Sequence, residues 1–165
     1  MAAERREATA LELAVASLYR DNIDPSGTIV SPIHGVARYL ETFVAEGDEF
    51  LVLRSSGRTA TNTGKFLLVS DKWIGEVDFA AGWGDGGRLC LTGSVVRRSD
   101  VVAVDFTPEN FAYPRDPASD PELVPAVEVR FRDFSLTVGG EGDYAFGLGE
   151  DSAATELSRL FALLS

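Results

Sequence analysis

A chain of 165 residues suits one domain, and an apolar content of 45%, with ten phenylalanines, offsets the entropy of ordering well enough to exclude global disorder. Twenty-six acids against fifteen Lys and Arg leave a net charge of −11, a field that repels phosphate backbones and anionic lipid and argues against nucleic acid as a partner. Apolar runs such as Phe66-Leu67-Leu68-Val69 fall far short of the roughly 20 residues that span a bilayer, so no integral membrane segment is expected. Arg5 and Arg6 are followed by an acidic, polar stretch instead of the apolar core of a signal peptide, which points to a cytoplasmic location.

Residues 5–20 place Ala8, Leu11, Val15, Leu18 and Tyr19 on one face at helical spacing. Asp21-Asn22 and Asp24-Pro25-Ser26-Gly27 break that helix. Ser31-Pro32 starts a second one, with a hydroxyl placed to cap free N–H groups and proline in the first turn. Ile33, Val36, Ala37, Leu40, Phe43 and Val44 continue it, and Gly47 is the expected stop.

From Glu49 the period becomes that of strands. Segments 50–54, 66–69, 73–79, 88–92 and one within 95–106 read as strands, with turn residues between most of them. Residues 107–125 hold five of the seven prolines and form a long irregular segment. Three apolar alternations follow in phase: Val127/Val129/Phe131, Phe134/Leu136/Val138 and Tyr144/Phe146/Leu148. Arg132-Asp133 would set Phe131 opposite Phe134, while Glu128, Arg130, Ser135 and Thr137 leave the other face polar. Ser152 or Asp151 then caps a last helix whose buried stripe is Ala153, Leu157, Leu160, Phe161 and Leu164. Seven or eight strands without helices between them exclude repeated βαβ units and predict an α+β chain with an antiparallel sheet.

The motifs that suggest chemistry have simpler accounts. Gly82-Trp83-Gly84-Asp85-Gly86-Gly87 carries the letters of a dinucleotide loop but leads into a strand, so no helix amino terminus would meet the phosphate. Gly147-Leu148-Gly149 does precede a helix, yet Glu150-Asp151 would repel a pyrophosphate and no parallel strand follows. Gly139-Gly140-Glu141-Gly142-Asp143 reads as a turn, and Asp116, Asp120 and Glu122 lack the alternation of a calcium loop. One histidine, His34, and one cysteine, Cys90, complete neither a common zinc site nor a Cys–His pair, and no G-x-S-x-G elbow is present. Cys90, inside Leu89-Cys90-Leu91, is expected to be a half-buried structural residue. Trp73 reads as packing. No catalytic residue, metal or cofactor is singled out, although 26 acids leave carboxylate pairs open. The candidate partner-binding residues are Trp83 and Asp85 in the glycine-rich loop and Phe111 and Tyr113 in the proline-rich one.

The charged turn Glu46-Gly47-Asp48-Glu49, the strand at 50–54 and the run Gly64-Lys65-Phe66-Leu67-Leu68-Val69-Ser70-Asp71-Lys72 resemble the start of bacterial pleckstrin-homology-like (PH-like) domains, with Trp73 where that family usually has a basic residue. The terminal helix stands where such a domain has its capping helix, so the resemblance covers about residues 46–164, with residues 1–45 as a helical extension. It implies a strongly bent, split antiparallel barrel that acts by binding, without catalysis. The phosphoinositide site of the family needs a basic loop between the first two strands. Here that loop offers Arg58 alone, with Arg54 and Lys65 at its edges, which disfavours headgroup binding. The leading expectation is therefore a non-enzymatic protein-binding or scaffold module, with self-assembly also open. The alternatives are an acidic inhibitor or immunity-type protein that masks a basic enzyme, and a small-ligand carrier or enzyme with a pocket inside the barrel.

Overall fold

The computed structural model describes residues 9–18, 31–56, 63–81, 89–107, 126–148 and 151–165. Among these residues the chain is α+β, with three α-helices and two antiparallel sheets. Helix α1 (Ala10–Leu18) opens on a reciprocal cap. Thr9 Oγ1 accepts the Glu12 N–H at 3.2 Å while the Glu12 carboxylate accepts the Thr9 N–H at 3.0 Å, so two otherwise orphaned donors are satisfied. Helix α2 (Ser31–Leu40) begins at the expected serine but ends well before Gly47. Bonds from Thr42 N–H to Tyr39 C=O and from Phe43 N–H to Leu40 C=O tighten its last turn, and Gly47, at φ +87°, serves the bend into the sheet.

Strands β1 (Phe50–Arg54), β2 (Thr63–Ser70), β3 (Trp73–Ala81) and β4 (Leu89–Arg97) form a four-stranded meander in that order. A single 3-10 turn at Arg98–Asp100 leads to the second sheet, β5 (Ala103–Thr107), β6 (Ala126–Arg130) and β7 (Ser135–Val138). Helix α3 (Ala153–Leu164) follows, capped by the Ser152 hydroxyl, which accepts the Thr155 N–H. Among the described residues no ladder joins β4 to β5.

Strands β1 and β2 are buried on both faces, which explains the unbroken apolar run in β2. Phe66 and Leu68 face one way and pack with Val52, Val77 and Phe79 against α1 and α2. Leu67 and Val69 face the other way and pack with Leu51, Leu53 and Ile74 against the second sheet and α3. Each of these side chains contributes about 1.5–3 kcal/mol by leaving water, so both cores draw on one strand. In the second sheet Val127, Val129, Leu136 and Val138 are buried, while Arg130 and Ser135 are exposed, as the alternation predicts. Phe131 N–H donates to Phe134 C=O and the two rings stack at 4.5 Å, which bears out the two-residue hairpin.

Three expectations are corrected. The strands placed at 88–92 and within 95–106 are one continuous β4 followed by β5, because Gly93 does not interrupt its strand. It lies opposite Val77, where a Cβ would stand 2.1 Å from the Glu76 carbonyl oxygen, so glycine answers a close backbone approach. Cys90 is exposed, because β4 is an edge strand with β3 on one side only. The third alternation is not a full strand: among residues 144–148 only Tyr144 makes bridges, and Leu148 is exposed.

Two substitutions test the glycine argument. Gly93→Ala should cost about 1–3 kcal/mol because backbone must move, whereas Gly75→Ala, whose added methyl meets nothing nearer than 3.5 Å, should cost less than about 1 kcal/mol. Urea unfolding of both variants measures the difference, and equal costs would contradict the close-approach account.

Candidate functional site

Tyr144 is the seam between the two sheets. It bridges Val138 in parallel and Ser55 in antiparallel fashion, so residues 143–145 lie between β7 and the end of β1. Tyr144 N–H donates to Thr137 C=O and Gly139 N–H to Tyr144 C=O on one side. On the other, Ala145 N–H donates to Arg54 C=O at 3.0 Å and Ser56 N–H to Asp143 C=O at 3.1 Å. The Tyr144 side chain is fully buried, and its hydroxyl donates to Glu76 Oε2 at 2.5 Å. Lys65 Nζ reaches the same oxygen at 3.1 Å and stands 5.8 Å from the centre of the tyrosine ring. Burial first, then the hydrogen bond to the Glu76 carboxylate, push the phenol far above its ordinary pKa, so it stays a neutral donor. This cluster ties β2, β3 and the seam together, and it uses its polar groups on one another.

The seam is short because the chain leaves it at Gly147. Continuing the register of Ala145 against Arg54 would set Gly147 opposite Val52. Gly147 instead adopts φ +75° and donates its N–H to Glu156 Oε2 at 2.8 Å. Glu156 sits in the first turn of α3 and is only 3% exposed. Burial raises its carboxyl above the ordinary range, an effect that the Gly147 N–H opposes and Asp151 reinforces.

Among the described residues the departure leaves the outer edge of β1 open beyond Arg54. Since Ser55 N–H bonds to Lys65 C=O across the β1–β2 ladder, the alternate residues Phe50 and Val52 turn their backbone groups away from β2. They face a cleft of about 510 Å³. Leu13, Ala14, Ser17 and Leu18 of α1 form one wall, Asp151, Glu156 and Arg159 of α3 the other, and Asp48 and Glu49 the mouth. Four carboxylates and one guanidinium thus surround an open strand edge. Arg159 pairs with Asp151 at 3.1 Å and Asp48 with Lys72 at 3.2 Å. The hydrogen bonds to Lys72 and to the Ala45 N–H hold the Asp48 carboxyl below its usual range. At the inner end Arg54 Nη1 donates to Leu18 C=O at 3.1 Å, fixing the end of α1 to β1.

Trp83, Asp85, Phe111 and Tyr113, with the whole of the two loops that carry them, lie outside the described residues. So do Arg58 and the acids Asp116, Asp120 and Glu122. His34 falls in the first turn of α2. Glu156 escaped the sequence argument although the signal was present: it lies at helical spacing with Leu160 and Leu163 on the most buried stripe of α3. Among the described residues no helix is long and apolar enough to cross a membrane, and no group of three His, Cys, Asp or Glu side chains is placed to hold a metal ion. No protein-family model, curated protein or solved structure matches the chain.

The raised carboxyl of Glu156 gives a signed pH dependence. The native chain holds that proton more tightly than the unfolded chain, so the contribution is complete below the ordinary glutamate pKa and is lost as pH rises through the raised value. Glu156→Gln keeps an acceptor for the Gly147 N–H and removes the titration. Urea unfolding across pH should show the variant gaining on the parent chain as pH rises above the ordinary carboxylate range. A difference that does not change with pH would contradict it.

Proposed function

We propose that the chain is a non-enzymatic protein-binding module with the split-sheet organisation of a PH-like domain, and that the open edge of β1 between α1 and α3 is its principal contact surface. The order of elements supports the PH-like part: a four-stranded meander, a three-stranded meander and a closing helix. The single observation that carries the binding role is the cleft itself, where a strand edge, an exposed leucine and charged groups meet at one accessible place. The space between the sheets is filled by side chains such as Tyr144, Leu53, Leu67, Val127 and Leu160, which disfavours a carrier with a ligand inside. The interior polar cluster is spent on structure, with its phenol held neutral. Trp83, Asp85, Phe111 and Tyr113 stand as further contacts within the same proposal.

The acidic lining also favours the inhibitor-like reading, in which the surface masks a basic protein. The two readings share a test. Leu13, 58% exposed on the lip of the cleft, can be replaced without disturbing a core, and Phe134, 42% exposed at the β6–β7 turn and absent from the lining of the cleft, serves as the control, at the cost of its stack on Phe131. Immobilised chain should retain a stoichiometric protein partner, lose it with Leu13→Arg and keep it with Phe134→Ala. For an inhibitor of a basic enzyme the association rate should also fall by at least about tenfold between roughly 0.05 and 0.5 M salt. Retention unaffected by Leu13→Arg would remove the cleft as the contact surface.

A further inference from the structure

We propose that the open edge of β1 takes up an extended basic segment of a partner protein as an added strand, antiparallel to β1, with apolar and basic residues alternating along it. The inference rests on the binding-module reading and specifies its ligand. Three observations meet here. Val52 is only 6% exposed, yet the register of the β1–β2 ladder turns its N–H and C=O to the outer edge, where none of the described residues pairs with them. Buried backbone groups are rarely left unpaired, and an extended segment is the ligand that satisfies an N–H and a C=O of one residue together. The chain itself begins such pairing at residues 143–145 and then leaves it, because Glu156 holds the Gly147 N–H that would otherwise face Val52. A guest strand in the same direction would continue the ladder from that point.

The walls set its side-chain pattern. Val52 belongs to the core beneath α1, so a guest residue opposite it points toward Leu13 and Ala14 and should be apolar. Leu51 and Leu53 belong to the core beneath α3, so guest residues opposite them point toward a wall where Glu156 and Asp151 outnumber Arg159, and should be basic. Asp48 and Glu49 at the mouth add to the same field. An acidic segment would meet these carboxylates at short range.

The probe is a synthetic peptide of about six residues alternating valine and lysine, compared with the valine–glutamate peptide and with a valine–lysine peptide N-methylated at every valine. Titration should show the unmodified basic peptide binding at least about tenfold more tightly than either comparator, with affinity lost by about tenfold in Leu13→Arg. At saturation the Val52 amide should exchange with solvent at least about tenfold more slowly, a readout that charge attraction alone would not move. Equal binding of the N-methylated peptide, or a Val52 amide whose exchange is unchanged, overturns the proposal. The same exchange measurement on the complex with a captured protein separates the two levels. An unprotected Val52 there removes strand addition while the binding-module reading stands, and failure to retain any protein partner removes that reading.

Discussion

The hydrogen bond from the buried Tyr144 hydroxyl to Glu76 is the contact on which the arrangement of the two sheets depends. It joins a residue of the seam to the middle of the first sheet across 68 positions of sequence, and Lys65 closes the cluster from the neighbouring strand. A hydrogen bond to a charged group contributes about 1.5–3 kcal/mol, more than the exposed ion pair Arg130–Asp105, for which roughly 0–1 kcal/mol is typical. The tyrosine also excludes water from the seam. Its backbone occupies β7 on one side and the end of β1 on the other, so side chain and main chain fix the same junction.

From that junction the rest follows. The first sheet, held at its β1 end, carries one core on each face, one closed by α1 and α2 and the other by the second sheet and α3. Because α1 and α3 lie on opposite faces of β1, the edge between them becomes the floor of a cleft. The seam covers only the Arg54 end of that edge. Glu156 sets the limit, since its buried carboxylate draws the Gly147 N–H away from β1. The concave surface offered for function is therefore a by-product of how the seam terminates.

Much of the local structure was legible in the residues. β1 spans Phe50–Arg54 as its strand-forming residues indicated, the start of α2 and the cap of α3 fell at their serines, and the Phe131–Phe134 hairpin followed from a two-residue spacing. The Thr9-Ala10-Leu11-Glu12 cap has the residues of a capping box, but no sharp break before it marks it as a helix start. Gly93 misled because a glycine in a strand pattern looks the same whether it ends the strand or admits a close neighbour. The period of Tyr144/Phe146/Leu148 suggested a strand, and what cut it short was a carboxylate nine residues later, a tertiary event with no local signature. The cleft was illegible for the same reason: which edge of a sheet stays open is decided by packing.

A double-mutant cycle on Tyr144→Phe and Glu76→Ala, read by urea unfolding, tests the central contact most directly. The account predicts a coupling energy above about 1 kcal/mol, with the double variant clearly more stable than the sum of the single losses allows. Additive losses, with coupling within about 0.3 kcal/mol of zero, would show that the seam is held by packing alone and would contradict it.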